Sequence, residues 1–175
     1  MKNAELAEVQ AALEACFQPT ATVTIPFTTT LVESAGWLVL IDAGTGGFGS
    51  TTGQWMDGFR AAGSAPEQVD LVVFSHVHGD HIQGFRSQDG APVFANAAVM
   101  VPEAEWAFWM DDARMSASPE AMQGAFQGVR RVFGPIQDKV ERMTVGGDHV
   151  PFPAVGHIAR NGAIDAYVPT FWRAV

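Results

Sequence analysis

Near the start of the chain, apolar residues recur at helical spacing. Leu6, Val9, Leu13, Cys16 and Phe17 share one face, behind Asn3 as an N-cap and Glu5 in the first turn. The pattern predicts an amphipathic helix over 4–17, closed by Pro19, with Cys16 a small buried hydrophobe. From Thr22 the character changes to strands. The runs Thr22–Phe27 and Thr28–Glu33 are rich in β-branched residues, and Ala35-Gly36 is a turn signal. Trp37–Ile41 is continuously apolar, as expected of a strand buried on both faces. It runs into the glycine-rich loop 42–49, followed by a short helix over Gln54–Ala62 that Gly63 stops. A polar link then leads to the apolar strand Leu71–Phe74.

The second half continues the alternation. A turn over Gln88–Pro92 precedes short strands near Val93 and over Val99–Val101. Pro102 opens a helix with the stripe Trp106, Trp109 and Met110. Ser118-Pro119-Glu120 opens another, whose apolar face carries Met122, Ala125, Phe126, Val129 and Phe133. Arg130 and Arg131 occupy its last turn, and Gly134-Pro135 ends it. Strands alternating with helices indicate an α/β fold.

Composition narrows the class. At 175 residues with 47% hydrophobic content, the chain has the material for one sizeable core. A formal net charge of -9 speaks against nucleic-acid or membrane-surface binding, both of which need clustered Lys or Arg. Cys16 is the single cysteine, so no internal disulfide argues for an oxidising compartment. The acidic first residues lack the apolar core of a signal peptide, and no run reaches the roughly 20 apolar residues of a membrane span. The expectation is a soluble, acidic, cytoplasmic globular protein.

The candidate chemistry lies directly after the strand Leu71–Phe74. His76, His78, Asp80 and His81 fall within six residues of one another, and three of the five histidines of the chain are among them. The end of a buried strand is where α/β proteins tend to place their sites. Imidazoles and a carboxylate suit zinc or another borderline divalent ion, and Gly79 permits the turn that aims them. An ordinary His-rich surface turn is the alternative reading. Asp42 reads as a structural hydrogen-bonding partner, and His149 as a loop residue. The loop Gly44–Gly49 resembles a phosphate cradle but lacks the lysine of a P-loop.

His76-x-His78-x-Asp80-His81 resembles the HxHxDH motif of the metallo-β-lactamase superfamily, the αββα metallohydrolases. Leu40-Ile-Asp42-Ala-Gly44 is similar to the family's strand ending in Asp-x-Gly, whose aspartate braces the metal loop. The stretch from Asp89-Gly90 through Trp109 is similar to lactonase-like and organophosphate-hydrolase-like members, and the likeness covers roughly residues 20–157. Gln83 and Ser75 stand where the family often has Gly and Thr.

The resemblance implies an α/β metallo-β-lactamase αββα sandwich, mainly its N-terminal half, forming one incomplete domain over 1–175. It also implies a two-metal hydrolase. His76 and His78 would hold the first metal with His157, which looks like the family's Gly-His; a surface histidine is the alternative for that position. Asp80 and His81 would hold the second, and Asp80 could also relay a proton. Zinc is the default cofactor, two per complete site, with manganese, iron or cobalt compatible with the same donors, and the implied partner is a small-molecule substrate. Such a site turns water into hydroxide near neutral pH for attack on an ester, lactone or phosphotriester.

The family pattern also calls for a bridging Asp and a last His well beyond His157. Asp165 comes early for the first, no His follows His157, and 159–175 is atypical; Asn161–Val175 does not resemble the strand expected there. The expectation is therefore a truncated or frame-shifted member. Its alternative function is that of a non-catalytic metal-binding remnant without the full dinuclear site. A homodimer could cover the apolar sheet face that the second half would otherwise cover.

Overall fold

The turn at Ala35-Gly36 sets the sheet in motion. Both residues take positive φ, 51° and 81°, so the chain reverses in two residues. Strand β1 (Thr30–Ser34) thereby pairs antiparallel with β2 (Trp37–Ile41), Ser34 opposite Trp37. The remaining strands of this sheet, β3 (Leu71–Val73), β4 (Ala98–Pro102) and β5 (Val140–Met143), join parallel in the order β1-β2-β3-β4-β5. A computed structural model provides these coordinates; it describes residues 4–23, 25 and 27–144, and the backbone of 156–161 and 164–169.

Parallel neighbours need crossovers, and helices supply them. Helix α2 (Trp55–Ala61) links β2 to β3, and α3 (Gly79–Ile82) follows β3. Helices α4 (Glu103–Trp109), α5 (Asp112–Ala117) and α6 (Glu120–Phe133) link β4 to β5. Leu40, Val72, Val99, Val101 and Val140 point from the sheet into one core with Phe59, Phe74, Trp106, Phe126, Val129 and Phe133. Ring contacts tie that core together, with Phe74 edge-on to Phe85 at 5.8 Å and to Phe133 at 5.3 Å.

The opposite sheet face is open. Trp37 and Ile41 are 54% and 37% exposed, and Val32, opposite Val39, is 39% exposed. The apolar run Trp37–Ile41 is therefore not buried on both faces, as its composition suggested. Its even positions, Leu38 and Leu40, face the helices, while its odd positions face outward.

Other expectations are corrected as well. Helix α1 is Leu6–Ala15, capped by Glu5 and Glu8 in a capping box, and none of its residues is buried. Leu6 and Phe17 are 71% and 96% exposed, and Cys16 is exposed rather than a core hydrophobe. An amphipathic stripe selects the helix but does not supply a surface to cover it. Thr22–Phe27 is not a strand among its described residues, and near Val93 only an isolated bridge joins Arg86 to Pro92. Pro102 ends β4 and precedes α4 rather than standing as its first helical residue. Among the elements that went unread in the sequence are α3, α5, capped by the Asp111 side chain, and β5. The stretch 161–175 does contain a strand, β7 (Ile164–Pro169), antiparallel to β6 (Gly156–Asn161). Among the described residues, no helix is long and apolar enough to cross a membrane.

One glycine fixes how the loop after β2 meets α3. Gly84 donates its N–H to the Gly44 carbonyl at 2.9 Å, and a Cβ on Gly84 would collide with the Ala43 carbonyl oxygen. Gly84→Ala is therefore expected to lose about 2–3 kcal/mol in urea unfolding, through forced separation of two backbones. Gly58→Ala in α2, where a Cβ meets open space, should instead gain about 0.5–1 kcal/mol. Equal responses of the two variants would contradict the close approach.

Candidate metal centre

Three strand ends build the site. After Val73 the chain keeps its register through Phe74, whose N–H donates to the Met100 carbonyl at 2.9 Å, and then leaves the sheet as Ser75-His76-Val77-His78. His78 is the N-cap of α3, which carries Asp80 and His81. The neighbouring strand β2 ends at Asp42, whose backbone takes a φ of 59°. Left-handed backbone is uncommon for a residue other than glycine and is tolerated best by Asp and Asn. Here two hydrogen bonds hold it: Asp42 N–H to the Val73 carbonyl at 3.0 Å, and Ala43 N–H to the His81 carbonyl at 2.7 Å.

That turn presents the Asp42 carboxylate to the His loop. Oδ1 accepts from the Ser75 N–H at 2.8 Å, and Oδ2 accepts from the Ser75 hydroxyl at 2.7 Å. Oδ2 also faces His81 Nδ1 at 2.8 Å. An ionised carboxylate only accepts, so His81 carries its proton on Nδ1 and presents Nε2 away from Asp42. Because the Ser75 hydroxyl spends its proton on Asp42, it accepts from His76 Nδ1 at 3.1 Å. His76 then also presents Nε2. The rings converge: centroid separations are 3.8 Å for His76–His81 and 4.7 Å for His76–His78.

A second carboxylate works from the other side. Glu105 Oε2 accepts from the Val77 N–H at 3.1 Å and from Trp109 Nε1 at 3.2 Å. It pins the backbone between the two histidines of the loop, while Trp109 packs edge-on to His78 at 5.7 Å. In the sequence Glu105 is indistinguishable from any acid in the first turn of a helix. Its spacing from the His loop, 28 residues, carries no local signal.

Environment drives the imidazoles apart. His76 is pushed below its ordinary value of 6.5 by burial and by the neighbouring His81 and His78. His81 is raised above 6.5, first by its hydrogen bond to Asp42, with Asp80 adding to the effect.

The donor set fits divalent metal as two halves rather than a finished sphere. His81 Nε2 and Asp80 Oδ2 are 3.3 Å apart, close to the spacing of about 3.3 Å between two ligands 2.0–2.1 Å from one tetrahedral zinc. A carboxylate holding the far nitrogen of a ligating imidazole is the usual outer support of a metal site, and Asp42 occupies that role towards His81. Among the described residues no three of these donors already surround a single point. The expected further ligand, His157, lies in β6 opposite Val168, but its side chain is outside the described residues, as are His149 and the Asp165 side chain.

A family model described as the metallo-beta-lactamase superfamily matches residues 28–162. The chain belongs to the metallo-β-lactamase superfamily. Its five-stranded sheet with helices on one face corresponds to the N-terminal part of that fold. Among solved structures, a hydrolase of the beta lactamase superfamily called AbOPH is 28% identical, with a TM-score of 0.73. That likeness covers 89% of this chain and 56% of the other. AidC, a dizinc quorum-quenching lactonase, shares the fold at 24% identity and TM-score 0.72, over 85% of this chain and 53% of its own. A probable metal-dependent hydrolase from Staphylococcus aureus is 23% identical with TM-score 0.50, over 69% and 45% of the two chains. The chain thus spans a little over half the length of the first two. No curated protein sequence matches it.

Asp42 raises the proton affinity of His81, and the same hydrogen bond is expected to raise its affinity for a divalent metal. Asp42→Asn should weaken zinc binding about 10–100-fold by competition titration. In the metal-free protein, histidine NMR titration should place His81 above 6.5 and His76 below it, and Asp42→Asn should lower His81. Since the folded His81 value is raised, its stabilising contribution is fully present below about 6.5 and fades as pH rises through the folded value. A His81 titrating below 6.5 in the wild-type chain would contradict the arrangement.

Proposed function

We propose that this chain carries the metal-binding machinery of a metal-dependent hydrolase acting on an ester, lactone or phosphotriester substrate. The observation that carries the reading is the Asp42 carboxylate. It clamps Ser75 and His81 together so that the His81 Nε2 faces Asp80 across 3.3 Å. A structural His-rich turn has no need of such an outer support.

His76 and His78 would hold one divalent ion, with His157 as a further ligand, and Asp80 with His81 would hold a second. Zinc suits the donors best, and manganese, iron or cobalt fit the same set. The chemistry supplied by such ions is Lewis acidity, which acidifies water and polarises a carbonyl or phosphoryl oxygen. The protein's own part is positional. Burial keeps His76 neutral and so available as a donor at neutral pH. Ser75 and Glu105 fix the backbone on either side of it. The Asp80 carboxylate is 38% exposed, so it can both ligate and pass a proton to or from solvent. The likeness to AbOPH at 28% identity and to the fold of AidC supports the hydrolase class.

Metal analysis of the purified chain is the direct test, with near two divalent ions expected. Aryl ester or lactone hydrolysis should vanish with chelator and return with zinc or manganese. Asp80→Asn should lower kcat about 100-fold or more while circular dichroism stays unchanged. One ion or none per chain, with no chelator-sensitive turnover, would replace this reading by that of a non-catalytic metal-binding protein.

A further inference from the structure

The glycine-rich loop 44–49 lacks a lysine of its own, but the fold brings arginines to it from elsewhere. Arg86 is 8% exposed and sits just beyond α3. Its Nε donates to the Val132 carbonyl at 2.6 Å and its Nη1 to the Gly90 carbonyl at 3.0 Å. Its Nη2 is buried and has no hydrogen-bond partner among the described residues. Both hydrogen-bond partners of the guanidinium are neutral carbonyls, so among the described residues its charge is buried without a counter-ion. Such burial is costly and calls for an anion. Burial alone, with no carboxylate acting against it, pulls Arg86 below its ordinary value.

Arg86 lines a cavity of about 40 Å³ together with Phe48, Gln83, Ser87, Gln88 and Arg131. Arg131, exposed at its edge, stacks its guanidinium on the Phe48 ring at 5.0 Å. Phe48, Arg86, Ser87 and Gln88 also border an adjoining cavity of about 260 Å³, which Gly46, Gly47 and Arg60 help to line. No carboxylate lines either space. Two acids adjoin the lining residues, and both are engaged: Asp57 lies 3.8 Å from Arg60, and Asp89 Oδ1 accepts from Ser87 Oγ and the Ala91 N–H. In a chain with 10 Lys and Arg against 19 Asp and Glu, a cleft lined by three arginines and, among the described residues, by no carboxylate is a marked departure from the mean.

We propose that the cleft between the 46–49 loop and Arg86–Arg131 binds a small oxyanion, the phosphate or carboxylate group of a ligand. Arg86 supplies a buried positive charge at the wall of the cleft, and Arg131 closes the open side with a second. The adjoining cavity has room for the remainder of the ligand. Charge-assisted hydrogen bonds from two guanidinium groups select an anion over a neutral polar group. The position of this cleft, walled by the 46–49 loop and the 83–90 turn, sets it apart from the His76–His81 cluster, none of whose histidines lines it.

The test uses inorganic phosphate on the metal-loaded full chain, with acetate in a second arm and sodium chloride at matched ionic strength as reference. Phosphate at ten times its Kd should raise Tm about 3–5 °C over chloride. Arg131→Gln should keep the wild-type circular dichroism and raise Kd for phosphate about three- to tenfold. Arg86→Gln should abolish the response. Should that variant fail to fold, the Arg86 Nε–H resonance of the unsubstituted chain reads occupancy in the same titration. A response to acetate as strong as to phosphate assigns a carboxylate ligand, and a response to phosphate alone assigns a phosphate ester. Phosphate held only by metal at the histidines would stabilise wild type and Arg131→Gln equally. That result, or a response no larger than that to chloride, would overturn the proposal and leave solvent as the partner of Nη2.

Discussion

One carboxylate holds the centre of this protein together. Asp42 stands where β2 leaves the sheet, in a backbone conformation that side chains seldom adopt, and accepts from Ser75 twice and from His81 once. Through these contacts the ends of two parallel strands and the first turn of α3 become a single rigid corner. The conformation of the corner is maintained by main-chain bonds on both sides of Asp42, including the one from Ala43 to His81. Local strain of this kind persists where surrounding bonds over-determine it, and such places are where binding sites tend to be.

The corner also explains why the imidazoles differ. His81 meets an acid and favours its charged form, whereas His76 meets two other imidazoles and burial, and favours its neutral form. Neighbouring groups of one type are thus placed in opposite electrostatic surroundings by a difference of five positions in the chain. Glu105 reaches the same loop from α4 without entering this cluster: it fixes Val77 and Trp109 and so limits the positions open to His78. The metal loop is held from two sides by elements far apart in sequence.

Much of this was legible in the sequence because it is local. Histidines and an aspartate packed into six residues after an apolar strand carry their meaning together, and Asp42 was readable as a brace from the strand and loop around it. The alternation of strands and helices likewise gave the α/β class, and the superfamily resemblance was carried by the same short motifs. What escaped was set by tertiary contact. Glu105 looks like any acid in a first helical turn, and nothing near Arg86 announces that its guanidinium will be buried against Val132 and Gly90. Hydrophobicity was misread where it was real but uncovered. Trp37 and Ile41 belong to an apolar run, yet they lie on a sheet face that no described helix covers, and the stripe of α1 finds no core. Composition records the tendency to be buried; it does not record the presence of a partner surface.

The parts of the corner lie within one continuous span of chain. Asp42 is separated from Ser75 by 33 residues and from His81 by 39, and the strands that carry them are immediate neighbours in the sheet. During synthesis the N-terminal segment emerges first, at about 5–20 residues per second. The residues that build the corner therefore all leave the ribosome before those of β4, α6 and β5.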